Sequence, residues 1–187
     1  MMKTLFAGMV VLGLAAAPAL ADQRTTTAKK ADKVMAGGKL PDENFVIKAA
    51  NGSMAEVELG KLAVEKAGSD EVKKFGQRMV DDHRKANDEL KILAQNKHIT
   101  LPSAIDPTEQ ALHDRLAKLS GALFDRAYIQ AMLVDHRKDV SEFRMEARSG
   151  KDADVKGWAA KTLPTLEEHL KLAQNTNRAV GTSGKKP

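Results

Sequence analysis

The chain contains no cysteine. That excludes disulfides, thiolate metal ligands and lipid attachment through a lipobox. Aromatic residues make up only 4% of it, with one Trp and one Tyr. The apolar content is instead Ala, Leu, Val and Met, a mixture that favours helices over sheets, so an all-α fold is expected. After residue 21 no apolar run approaches the ~20 residues of a membrane span, and no membrane span is expected. A surplus of one charge sign is lacking too, once the net +5 is located along the chain. Lys3, Lys185 and Lys186 sit at the ends, and Arg24, Lys29, Lys30, Lys33 and Lys39 fall within residues 22–40. The remainder is close to neutral, which argues against a phosphate-binding face, and no nucleic-acid partner is expected.

What is present suits one domain: 187 residues, 42% hydrophobic and 29% charged. Residues 1–21 combine a positive start, an apolar run and Ala19-Leu20-Ala21, which reads as a signal peptide cleaved after Ala21. The mature protein is then periplasmic or secreted. Residues 22–40 have no apolar period and read as a disordered leader; residues 41–177 are the folded domain and 178–187 a disordered tail.

Within the domain, four long stretches carry a helical stripe. The first begins at Pro41-Asp42, with Asp42 as its cap, and turns Phe45, Ala49, Gly52, Glu56, Leu59 and Ala63 inward. After Gly68-Ser69-Asp70 the second presents Val72, Phe75, Met79, His83, Ala86 and Leu90. A loop with two prolines and a short helix from Thr108 to Leu119 lead to the third, with Phe124, Tyr128, Met132, His136, Val140 and Phe143. Beyond Ser149-Gly150-Lys151-Asp152 the fourth carries Val155, Trp158, Thr162, Leu166, His169 and Ala173, with Pro164 expected to kink it and an end near Asn177. Gln77–Lys85 nearly repeats at Gln130–Lys138, and Leu90–Asn96 resembles Leu170–Asn175, as two related helical hairpins would. The expected architecture is a four-helix bundle with a short extra helix in the crossover.

Each stripe contains one ionisable group. Glu56 and His83 are equidistant from position 69.5, and His136 and His169 from position 152.5, both at a turn, so each pair faces across its own hairpin. Sequence does not set the height of one hairpin against the other. If the heights agree, Glu56, His83, His136 and His169 converge and suit one transition metal ion, zinc first, with copper or iron as alternatives. Neutral imidazoles are required, so affinity is expected to fall below about pH 6.5. Met79 and Met132, one turn before histidines, and Asp82, Asp125, Tyr128, Asp135 and Glu168 are the candidates for groups around the ligands. His98 and His113 fall off the stripes and are expected to be exposed.

Ala55-Glu56 with Leu59-Gly-Lys-Leu-Ala63, Met79-Val-Asp-Asp-His83, Phe124-Asp-Arg-Ala-Tyr128, Asp135-His136 and Leu163-Pro-Thr-Leu-Glu-Glu-His-Leu170 resemble the domain of unknown function 4142 family. The resemblance covers roughly residues 41–175 and implies an exported bacterial protein of the ferritin-like bundles with a metal site; no activity comes with it. Di-iron ferritin sites place Glu three residues before two of their histidines. Val80, Leu133 and Leu166 stand there instead, which favours a mononuclear centre. The function expected is metal handling or envelope stress tolerance. A metal-dependent oxidoreductase or hydrolase, and a metal-free helical interaction protein whose polar cluster fixes helix register, are the alternatives. A homo-oligomer is compatible with all three.

Overall fold

The computed structural model describes residues 41–183, with side chains through 181. The expected signal peptide and leader, and the end of the expected tail, lie outside the described residues. Five helices follow in order: α1 Pro41–Lys66, α2 Asp70–Asn96, α3 Pro107–Ala117, α4 Gly121–Ser149 and α5 Ala153–Ser183. Among the described residues there is no strand, only an isolated bridge between Ala67 and Gly121. The starts are chemically marked. Ser69 Oγ accepts the Val72 amide (3.2 Å), Asp106 accepts those of Thr108 (2.7 Å) and Glu109 (3.1 Å), and Asp152 those of Asp154 (3.0 Å) and Val155 (3.1 Å).

α1 packs most closely on α2 and α4 on α5, which makes two antiparallel hairpins. They join along α1 with α4 and α2 with α5, and α3 lies across α1 in the crossover. The α1–α2 turn meets the start of α4, where a Cβ on Gly68 would lie 2.8 Å from the Gly121 Cα. α2 and α4 therefore run in the same direction, which is why a long crossover is needed between them. Within the first hairpin the backbones approach tightly. A Cβ on Gly60 would fall 2.7 Å from the Gly76 carbonyl oxygen, and one on Gly76 would fall 2.6 Å from Ala63 Cβ. This contact lies one turn beyond Glu56 and two turns before His83, and it holds the two helices within reach of each other there.

The relative height of the hairpins is set at both ends by a carboxylate of one hairpin binding the turn of the other. Asp125 on α4 accepts the amides of Gly68 and Ser69, each at 2.9 Å. Asp42 on α1 accepts those of Lys151 (3.0 Å) and Asp152 (2.5 Å). Asp42 thus lies inside its helix and caps the distant turn rather than its own, because the helix already begins at Pro41. Glu56 lies 12 residues before Gly68 and His136 11 residues after Asp125, about 18 and about 17 Å of helix rise from the same end. The two levels agree.

The core is divided accordingly. One apolar cluster gathers Leu59, Phe75, Met79, Phe124, Tyr128 and Met132 at the Gly68 end. The other gathers Phe45, Leu90, Val140, Phe143, Trp158 and Leu166 at the Asp42 end. Between them lies a buried layer of Glu56, His83, His136 and His169. α5 holds Pro164 inside one continuous helix, its missing amide opposite the carbonyl of exposed Ala160; it departs from expectation at its end. It runs past Asn177 to Ser183, since Val180 extends the inward stripe into the first cluster and Asn177 accepts from Gln130 at 2.8 Å.

Replacing Asp125 by Ala leaves two turn amides without their acceptor. It is expected to destabilise the fold by about 1–3 kcal/mol, read as a lower urea midpoint; an unchanged midpoint would show that the cap does not hold the hairpins together.

Candidate metal centre

The three imidazoles converge. Ring centroids of His83 and His169, and of His136 and His169, are each 5.3 Å apart, and those of His83 and His136 6.0 Å. One ring nitrogen of each histidine lies within 4.8 Å of the others. Glu56 stands beside this trio, with Oε2 3.1 Å from His83 Nε2 and Oε1 3.3 Å from His136 Nδ1. Neither contact is aligned as a hydrogen bond, because the relevant nitrogens are turned to other partners or to the centre.

Each ring is held from outside by its other nitrogen. His83 Nδ1 donates to Ser53 Oγ (3.1 Å), which passes its own proton to the His83 carbonyl oxygen (3.2 Å). His136 Nδ1 donates to the Met132 carbonyl oxygen at 3.0 Å. His169 Nε2 donates to Asp82 Oδ2 at 2.8 Å. These bonds set the tautomers. A lone pair is then left on His83 Nε2, His136 Nε2 and His169 Nδ1, all buried and without a partner, as is Glu56 Oε1. Three ring nitrogens within 4.8 Å of one another, with a buried carboxylate beside them, are thus left without a hydrogen-bond donor. A cation answers that imbalance, and imidazole nitrogens with a carboxylate are a donor set for zinc, copper or iron.

The electrostatics agree with neutral rings. Burial, followed by the proximity of His169 and His136, holds the His83 imidazole well below its ordinary value. Burial lowers His136 to about 4, with His169 adding to it and the Met132 carbonyl opposing. Burial also lowers His169, against the pull of Asp82. Protons therefore compete for the nitrogens at a lower pH than the threshold of about 6.5 expected from an unperturbed imidazole. Burial raises the Glu56 carboxyl well above its ordinary range, and the negative Asp139, Asp135 and Glu109 raise it further. Asp82 differs: burial would raise it, but hydrogen bonds from Arg78 and His169 leave it lowered and ionised.

The surrounding candidates fare unevenly. Asp82 does touch the centre, but through His169 on another helix rather than its neighbour His83. Glu168 is exposed and acts at one remove: Arg78 bonds both Asp82 and Glu168, the latter at 3.3 Å. Met79 and Met132 are fully buried in the apolar cluster, Met132 contributing only its carbonyl oxygen. Asp125 is a turn cap at the bundle end and no part of the centre. Tyr128 packs on Phe124 and Phe75, and its buried hydroxyl has no partner. Asp135 is half-buried, with burial raising its carboxyl. His98 is exposed as expected, while His113 is partly covered beside Asp114 at 3.2 Å. Sequence reasoning missed Ser53 and Arg78: Arg78 lies one turn before Asp82, which it serves, whereas Ser53 serves His83 on the other helix of the hairpin, a contact no local spacing signals.

A four-helix bundle with a buried imidazole and carboxylate centre is the class defined so far. Residues 24–176 match the family model described as Domain of unknown function (DUF4142), and the chain belongs to that family. No curated protein matches the sequence. Among solved structures, a DUF305 protein of Streptomyces coelicolor is similar, with a TM-score of 0.63 and 17% identity over 75% of this chain and 92% of that one. CopM in its Cu(I)-bound form has a TM-score of 0.62 and 17% identity, over 75% of this chain and 98% of that one. CopM in its Cu(II)-bound form has 0.62 and 16%, over 74% and 96%. These likenesses define a shared fold.

For the metal-free protein, folding and pH are linked with opposite signs. The His136 imidazole is protonated in the unfolded chain below 6.5 but in the fold only near 4. Stability is therefore present above pH 6.5 and lost as pH falls toward 4, by about 3 kcal/mol from this ring. A raised Glu56 carboxyl destabilises the fold above its ordinary 4.5. Glu56→Gln should therefore raise the melting temperature of the metal-free protein at pH 7; a lower one would mean that the carboxylate is satisfied within the protein.

Proposed function

We propose that the protein binds one transition metal ion between Glu56, His83, His136 and His169, as an exported metal-handling protein of the cell envelope that contributes to stress tolerance. The observation that carries this reading is the trio of buried imidazole nitrogens turned on one space with Glu56 beside them, each histidine held in place by an outward hydrogen bond. Second partners of this kind orient ligands and keep the coordinating nitrogen free of its proton. Zinc suits the four-coordinate nitrogen and oxygen set, and copper and iron accept the same donors. The two copper-bound forms of CopM, a protein of similar fold, support a role in metal handling. The order of helices, with one long crossover, supports a ferritin-like relationship. Export rests on the start of the chain and on Ala19-Leu20-Ala21. Among the described residues no helix is long and apolar enough to cross a membrane.

Protein purified without chelator is expected to carry close to one metal per chain by elemental analysis, with His83→Ala and His136→Ala each losing it while remaining folded. Asp82→Ala, which frees His169, should weaken metal binding about 10- to 100-fold. An empty, cooperatively folded wild type that takes up neither zinc, copper nor iron would overturn the reading.

A further inference from the structure

The centre is not enclosed equally on all sides. Glu56, His83 and His169, but not His136, line a cavity of about 30 Å³ that borders the seam between α2 and α5. Its outer residues Asp82, Ala86, Thr162 and Thr165 also line a surface depression of about 110 Å³. The two spaces are thus walled by the same short side chains. Lys85 and Lys161 flank the depression, and Lys161 reaches across it to Glu89 at 2.9 Å. Trp158 lines the inner cavity, is 9% exposed, and its indole Nε1 is buried without a partner. Trp158 lies among Phe45 and Phe143, whose rings accept no conventional hydrogen bond.

We propose that this cavity is a subsite for a small anion of two or three atoms, which enters through the α2–α5 seam, completes the coordination of the metal and accepts a hydrogen bond from Trp158 Nε1. The inference rests on the metal reading above. Size limits the ligand: a single water needs roughly 10–15 Å³ of such space, so the cavity admits hydroxide, peroxide, azide or cyanide and excludes organic substrates. Charge selects its sign. Three neutral imidazoles and one carboxylate around a divalent ion leave a net positive centre, the ionised Asp82 at the cavity wall being paired with Arg78, in a water-poor space where an anion is held more strongly than in bulk water. An indole N–H is a donor and never an acceptor, so it suits the same ligand. Ala86, Thr162 and Thr165 form the wall shared by the cavity and the surface depression, so short side chains are what separate the subsite from solvent.

The test uses the mature protein loaded with Co(II) or Cu(II), its metal content measured first, and sodium azide as the probe. Saturable azide binding is expected, seen as a new charge-transfer band with metal content unchanged. Trp158→Phe keeps the ring and removes the donor, and should weaken azide about tenfold at equal metal content. Thr165→Leu, which fills the seam, should weaken or abolish it. A fully loaded protein whose spectrum ignores azide overturns the subsite and leaves the metal reading standing. Equal affinity in Trp158→Phe overturns the role given to the indole, and a protein that takes up no metal overturns both readings.

Discussion

Two carboxylates govern this fold from its ends. Asp125 and Asp42 each reach from one hairpin into the turn of the other, and each accepts two backbone amides. Hydrophobic packing alone tolerates sliding of one hairpin along the other, since Leu, Val and Ala stripes offer several near-equivalent registers. A charged acceptor on a pair of amides does not, because a shift of one turn strands both donors. The level of Glu56 and His83 against His136 and His169 is therefore decided far from the centre. The close contact of Gly60 with Gly76 then sets the remaining dimension, the gap between α1 and α2.

The polar layer works against the fold that surrounds it. Leucines in place of the four groups would join the two apolar clusters into one, whereas an unsatisfied buried polar group destabilises by on the order of 1–3 kcal/mol. The structure limits that penalty on one side of each ring only: Ser53, the Met132 carbonyl and Asp82 use the outward nitrogens. The inward side is left incomplete. Stability and site are thus opposed in the empty protein and aligned once a cation occupies the space, because binding energy becomes folding energy.

Much of this was legible in the sequence, and what was not has definite causes. Helical period alone identifies Glu56, His83, His136 and His169 as inward, and the equal distances from each turn pair them correctly within hairpins. The height between hairpins depends on Asp42 and Asp125, which bind residues some 109 and 57 positions away; no local pattern encodes such contacts. Asp82 points about 100° from His83 on its own helix, which correctly removes it as a partner of that ring, yet the same direction aims it at His169 on α5. Ser53 was hidden beside Gly52, which was assigned to the stripe but is half-exposed, with open space where a side chain would stand. The last turns of α5 look like tail in composition, and Val180 alone carries the signal that they are not.

Trp158 is the one tryptophan of the chain, and it forms part of the wall of the small cavity. The tryptophan emission of the molecule therefore comes from a single indole at the edge of the centre, beside the Phe45 and Phe143 rings. Tyr128, the one tyrosine, lies on the opposite side in the other apolar cluster. The two natural fluorophores bracket the polar layer, so their separate signals distinguish which half of the bundle loosens first without any label being attached.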